Sequence, residues 1–292
     1  MASSLSIMDI IKQRYSVRLY QAVPLASADQ VGLQSALDSI QCGPFGTPLR
    51  FKLAAALEGD SQALRGMGTY GFVKNPAGFI IGAVQAKEHA LEDFGYAMEK
   101  AVLEATALGL GTCWLGGLGG AFTQSGFAQK INKASNEIIP SVTAVGYAEE
   151  DSRIRDPGRQ KVRADQRLPW ESLFFDGQLG CPLTRSSVGA YAGALDMLRL
   201  APTAKNKQPC RVIRGDRRWH FFCQRTPGYG KGTALFILLG MADLQRIDIG
   251  ICMCHFELTA RYLGLQGGWV SADPCLPLID KNTFYIASWQ EK

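Results

Sequence analysis

A chain of 292 residues, 47% hydrophobic and 20% charged, holds enough apolar material for one large core or two ordinary ones, which excludes a disordered or fibrous polymer. Its 31 basic and 26 acidic side chains leave a formal net charge of +5 without the dense Lys/Arg runs of a nucleic-acid surface. A phosphate-bearing small molecule is the better-matched anionic partner, and eight scattered cysteines with no CxxC pair suit a reduced compartment.

The N-terminal stretch carries Asp9, Lys12, Arg14 and Arg18 and no long apolar core, so it does not read as a signal peptide. Ile7, Ile10 and Ile11 read instead as the buried stripe of a first helix. A helix over 27–40 leads into the Gly/Pro loop 42–50 and a strand over 51–57. Tyr70-Gly71 precedes a strand over 78–84, and a long helix over 92–108 ends at the breakers Gly109 and Gly111. A strand over 141–147 closes this unit. Residues 151–176, rich in charge, Pro and Gly, read as a linker, which places domain limits at 1–165 and 166–292. The second unit then offers a helix over 188–200, the loop 201–211, Tyr229-Gly230, a strand over 235–240 and a final strand over 283–289. The longest apolar stretch, 234–242, is far too short for a bilayer, so the expectation is a cytoplasmic protein with neither membrane nor nucleic acid as partner.

The second unit repeats the first. Asp93–Trp114 and Asp248–Trp269 share Asp, Gly, Met, Ala, Leu-Gly-Leu and Trp in one ungapped register, displaced by 155 positions. Tyr70-Gly71 matches Tyr229-Gly230, and Gly82 matches Gly240, at similar displacements. Mixed helices and strands without a βαβ rhythm indicate an α+β fold, with two mixed or antiparallel sheets and long central helices packed between the halves. Helix 92–108 carries Phe94, Ala97, Met98, Ala101, Val102, Ala105 and Leu108, a stripe rich in small residues that lets two helices approach closely. Cys252, Cys254 and His255 form the one cluster with metal-ligating chemistry, but adjacent and i,i+2 positions on a helix diverge, so no metal is expected.

Several segments together resemble the FMN-dependent nitroreductase family. Arg14-Tyr-Ser16-Val-Arg18 is similar to that family's Arg-x-Ser-x-Arg signature, and Ala201-Pro-Thr-Ala-Lys-Asn206-Lys-Gln208-Pro209 to its Ala-Pro-Ser-x-x-Asn-x-Gln-Pro loop. Leu108 through Gly117 resembles the stretch after its long helix, and Val145-Gly-Tyr147 followed by Lys161-Val-Arg163 resembles its strand end and basic pair. At twice the length of a minimal family domain, the chain is most similar to the tandem members. The resemblance implies the nitroreductase-like fold duplicated within one chain, a monomeric pseudo-dimer in place of the family's homodimer.

It also implies FMN as cofactor, NADH or NADPH as co-substrate, and a small electron acceptor such as a nitroaromatic or quinone. Arg14, Ser16 and Arg18 would hold the phosphate through forked, charge-assisted bonds, closed from the other side by Lys161 and Arg163. Backbone N–H groups of Gly116 and Gly117 would face the ring atoms where negative charge develops. Pro202, Thr203, Ala204 and Asn206 would reach the ring, ribityl chain and substrate cavity from the second half. Gln208 and Pro209 would fix their loop, Tyr70 and Gly71 would line the same cavity, and Lys205 and Lys207 would attract an anionic ligand. No side chain stands out as a catalytic acid or base. The reciprocal site is degraded: Arg185-Ser-Ser-Val-Gly189 lacks the second Arg, the loop Gly43–Pro48 lacks Asn and Gln, and Val-Ser-Ala follows Trp269. One FMN per chain is therefore expected. The alternatives on this scaffold are a flavin-dependent dehydrogenase or oxidase and a non-catalytic flavin-binding module.

Overall fold

The repeated segments form two long helices that cross at the centre of the chain. The computed structural model describes residues 5–55, 73–116, 122, 126–230, 242–278 and 280–292. Within these, the helices are α1 (Ile7–Gln13), α2 (Ser27–Asp38), α3 (Ala90–Ala107), α4 (Gly126–Lys130), α5 (Ser152–Arg155), α6 (Pro157–Lys161), α7 (Tyr191–Arg199) and α8 (Leu244–Tyr262). The strands are β1 (Leu49–Ala55), β2 (Gly78–Gln85), β3 (Gly111–Gly116), β4 (Glu137–Ile138), β5 (Ser141–Gly146), β6 (Phe174–Asp176), β7 (Cys210–Gly215), β8 (Arg218–Gln224), β9 (Gly267–Val270) and β10 (Thr283–Glu291).

The apolar stripe read from the sequence is the buried face of α3: Phe94, Ala97, Met98, Ala101, Val102 and Ala105 are all fully buried. Leu108 departs from it, lying just past the helix end at 40% exposure. Each large side chain in such a stripe contributes roughly 1.5–3 kcal/mol through burial. What sets the distance between α3 and α8 is a pair of glycines. A Cβ on Gly95 would collide with the Ile247 carbonyl oxygen, and one on Gly250 with the Glu92 carbonyl oxygen. Gly95 and Gly250 are equivalent in the repeat, as are Glu92 and Ile247, so the crossing has an internal two-fold relation.

Each half folds one sheet around this pair. The first runs β1-β2-β5-β3, with β4 on β2, and the second β6-β7-β8-β10-β9; every pairing is antiparallel except β6 with β7. Removing β4 and β6 leaves one strand order in both sheets, with β7, β8, β10 and β9 in the places of β1, β2, β5 and β3. The central strands β2 and β5 are buried along nearly their whole length, which their continuous apolar runs require.

Strand matching by spacing misplaced one element. The segment 235–240, aligned above with 78–84, lies outside the described residues, and the place of β2 in the second sheet belongs to β8, Arg218–Gln224. The reason is a relocated insertion. The first half has a long connection between β1 and β2, whereas β7 and β8 are joined by the tight turn Asp216-Arg217, with Arg217 at φ +50°. The extra chain of the second half falls instead between β8 and α8. Tyr229 therefore follows its strand where Tyr70 precedes one. Segment 151–176 also differs from a bare linker: Asp156 caps α6 by accepting from the Gly158 and Arg159 amides, with Pro157 at the first helical position, and β6 joins the second sheet. No helix among the described residues is long and apolar enough to cross a membrane.

Because the obstruction at each glycine is backbone rather than a movable side chain, Gly95→Ala and Gly250→Ala are each expected to lose about 3 kcal/mol of stability. Urea unfolding of both variants checks this, and a loss under about 1 kcal/mol in either would show that the helices can separate without cost.

Candidate functional site

Beside the helix crossing, the end of α1, the end of β3, the α5–α6 segment and the loop 201–209 enclose a cleft of about 1240 Å³. Every expected cofactor-binding residue that the structure describes lines it. Gly117, Tyr70 and Gly71 lie outside the described residues.

Arg14 closes α1, and its side chain is 5% exposed. Its Nε sits 3.5 Å from Glu99 Oε1, an ion pair too long and misaligned to be a hydrogen bond. Burial lowers the tendency of this guanidinium to stay protonated; Glu99 opposes the effect, and the neighbouring Arg159 and Arg153 add to it. Two residues on, Ser16 bridges to Thr112 and the Val17 amide donates to the Thr112 carbonyl at 2.8 Å, which anchors the Arg14–Arg18 run to the start of β3. Arg18 donates to Asp156 Oδ2 at 2.7 Å, the same carboxylate that caps α6.

Lys161 ends α6, and Arg163 follows at φ +50°; both are exposed and have no ion-pair partner among the described residues. The sequence reading missed three further cations on this wall. Arg153 and Arg159 share Asp165 at 2.9 and 2.7 Å and flank the Tyr15 ring. Arg167 lies beneath them, its pKa pushed down to about 10 by burial first and then by Arg14. Their signal in the sequence is the density of Arg and Lys between 153 and 167, which reads as linker charge. The Nε atoms of Arg14, Arg159 and Arg167 are all buried without a hydrogen-bond partner among the described residues.

The opposite wall is the loop Pro202–Pro209, and its side chains mainly hold one another. The Ala204 amide donates to Asp248 Oδ1 at 2.9 Å and the Gln208 amide to Thr203 Oγ1 at 2.9 Å. Gln208 Oε1 accepts from the Leu168 amide, as expected of a loop-fixing residue. Asn206 Nδ2 donates to the carbonyls of Arg163 and Gln166 at 2.8 and 3.0 Å, so this amide ties the loop to the cationic segment instead of reaching free into the cleft. Lys205, Asn206 and Gln208 all have positive φ, a strained set for non-glycine residues that these bonds hold in place. Lys205 and Lys207 carry their ammonium groups 5.5 and 5.8 Å from the Tyr229 ring centroid.

Gly116 ends β3 opposite Ser141, and a Cβ there would lie 2.8 Å from Leu244 Cδ1, so glycine lets α8 close over the cleft floor. The repeat supplies an internal control. The positions equivalent to Gly116 and Leu244 are Ser271 and His89, and Ser271 Oγ is 3.2 Å from His89 Nε2. Asp93, equivalent to Asp248, holds the amides of Phe45 and Thr47, which puts Phe45 in the place of Ala204. Phe45 stacks on His89 with ring centroids 4.3 Å apart. Aromatic rings thus occupy the reciprocal position where the first site has Ala204 and open cleft. Arg185, the candidate second phosphate ligand, is an exposed residue paired with Asp196 at 2.6 Å.

Comparison with known proteins decides the family. The model of the family described as "Putative TM nitroreductase" matches residues 6–260. The chain belongs to this nitroreductase family. The solved structure of a "putative nitroreductase" from Thermotoga maritima is 17% identical, with 100% of this chain and 96% of that one covered at a TM-score of 0.60, which shows a shared fold. A nitroreductase with bound FMN from Bacteroides fragilis is 20% identical over 50% of this chain and 90% of its own, at a TM-score of 0.40. A "putative NADH oxidase" from Clostridium acetobutylicum is 25% identical over 48% of this chain and 88% of its own, also at 0.40. No curated protein matches the chain. In this nitroreductase-family chain, full-length coverage comes from the Thermotoga structure, and the other two each span about half.

The two equivalent aspartates of the helix pair differ in a testable way. Both oxygens of Asp93 accept amide hydrogens, whereas Asp248 Oδ2 has no partner among the described residues, and burial raises the Asp248 pKa well above the usual carboxylate range. A carboxyl that binds its proton more tightly when folded costs stability as pH rises from about 4 toward the folded pKa. Asp248→Asn should therefore gain stability relative to the parent as pH is raised from 4 to 7. Urea midpoints across that range test it, and a pH-independent difference would contradict the assignment.

Proposed function

We propose that the chain is an FMN-dependent oxidoreductase that passes electrons from NADH or NADPH to nitroaromatic or quinone-type acceptors, with one FMN in the cleft between the repeats. The observation that carries the reading is the excess of positive charge on one wall: Arg14, Arg18, Arg153, Arg159, Lys161, Arg163 and Arg167 line it, with Glu99, Asp156 and Asp165 as their carboxylate partners among the described residues, and the Nε atoms of Arg14, Arg159 and Arg167 are buried without a hydrogen-bond partner there. A phosphate monoester of about two negative charges would balance that wall, and guanidinium groups grip phosphate oxygens bidentately. Exposed cations alone would be ordinary surface; buried and mutually repelling ones call for an anion.

The flavin supplies the redox chemistry when bound. The chain's part is placement. The Arg14–Arg18 run and the Lys161–Arg163 segment bind the phosphate end. Gly116, with no side chain, permits close backbone approach at the other end, and Pro202, Thr203 and Ala204 form the facing wall from the second half. Leu244 and Trp114 line the floor and keep water from it. Asp165, an acid on the cationic wall, is engaged by Arg153 and Arg159, so protons for the acceptor come from water. In the same reading the chain divides near residue 165 and works in the cytoplasm as a single-chain pseudo-dimer. The Phe45–His89 stack supports a single site.

Purified protein should be yellow, contain one FMN per chain and bleach when NADPH or NADH is added anaerobically. A stoichiometry of two would refute the single site, colour without bleaching would leave only a binding module, and no flavin uptake would remove the reading. Lys161→Ala/Arg163→Ala should weaken FMN binding about tenfold or more while leaving the circular dichroism unchanged, because both side chains are exposed.

A further inference from the structure

Glu99 lies outside the expected site yet touches it from behind. On α3, fully buried, its carboxylate meets three groups from three different elements. Oε2 accepts from Trp114 Nε1 at 2.8 Å. Oε1 is 2.9 Å from His255 Nε2 and 3.5 Å from Arg14 Nε. Trp114 and Arg14 both line the cleft, whereas His255 sits fully buried on α8, across the interface between the halves.

The hydrogen bonds fix where the protons are. His255 Nδ1 lies 3.0 Å from the Met197 carbonyl oxygen, which only accepts, so Nδ1 carries a hydrogen. One more proton must then lie between Nε2 and Glu99 Oε1. Glu99 and His255 thus share one proton along this bond, with the Trp114 N–H on the other carboxylate oxygen and Arg14 on the far side. Arg14 has its Nε edge toward this carboxylate, and its terminal nitrogens make no hydrogen bond among the described residues.

The cluster is mirrored only in part. The repeat places Cys254 opposite Glu99 and Lys100 opposite His255; Trp269, equivalent to Trp114, is held instead by Glu257 Oε2 at 2.6 Å, whose other oxygen pairs with Arg261 of the same helix. Among the described residues, the cleft side differs in having a carboxylate tied to the opposite half through a histidine and set beside a cleft-lining arginine.

We propose that Glu99 is a positioning residue for the flavin site, holding Arg14 and Trp114 in the cleft wall, and that His255 orients it from the other half of the chain. The inference rests on the flavin reading of the cleft. It makes the site depend on both halves twice, through the loop 202–209 in front and through His255 behind.

A double-mutant cycle tests it. In Glu99→Gln the amide can still accept from Trp114 and donate to His255 Nε2, so shape and hydrogen bonds persist while the carboxylate behind Arg14 is lost. FMN affinity, followed by flavin fluorescence, should fall about tenfold. In an Arg14→Ala background the same substitution should change affinity less than about twofold, because coupled residues are non-additive. Equal losses in both backgrounds, or no loss in the first, overturn the proposal. The chain has three histidines, so ring-nitrogen NMR of the parent gives a check that needs no variant. His255 Nδ1 should carry its hydrogen toward the Met197 carbonyl, and an unprotonated Nδ1 overturns the arrangement. Failure of the parent to bind FMN overturns the flavin reading and this inference together, whereas normal parent binding with additive losses overturns the inference alone.

Discussion

Everything in this chain is arranged around the contact between two glycines and two carbonyl oxygens. At Gly95 and Gly250 the helices α3 and α8 meet backbone to backbone, closer than any side chain would allow. That approach brings Glu92 within reach of Arg246, whose two bonds to it are 2.5 and 2.6 Å long, and Glu99 within reach of His255. It also sets how far the loop of one half stands from the strand end of the other. The cleft is a consequence of helix packing before it is a feature of any one residue.

The internal symmetry then makes the asymmetry informative. Two copies of one fold offer two places where a ligand could lie, and the chain has kept them differently. On one side small residues, Gly116 and Ala204, leave space, and buried arginines surround it. On the other, Phe45 and His89 stack where the space would be, and the nearest Arg-Ser sequence is turned outward to Asp196. An aromatic pair contributes packing energy where an empty polar cavity would cost it, so filling the reciprocal position stabilises the fold.

Much of the cleft could be read from residue types, and the structure explains why the rest could not. The Arg14–Arg18 and 201–209 motifs named their residues because the chemistry is local to each segment. Arg159 and Arg167 escape a reading by residue type because a charged segment reads as solvated until the fold covers it, and Arg153 stays exposed beside them. Asn206 lines the cleft, and its amide nitrogen also binds the carbonyls of Arg163 and Gln166. That second tie depends on which backbone lies opposite, which no spacing reports. The match of 235–240 to β2 fails for a similar reason: an insertion moved from one side of a strand to the other leaves residue spacing almost intact while changing topology.

By itself the sequence determined the duplicated architecture, the helix stripe that becomes the core, and the two motifs that face each other across the cleft, because periodicity, small residues and charged pairs act over a few residues. Only the tertiary structure decided that Gly95 and Gly250 form one crossing, that Glu99 joins Arg14 to His255, and that Phe45 fills the reciprocal position. Those facts join residues more than forty positions apart, and their energies come from burial and from exclusion of water, which exist only once the chain has closed on itself.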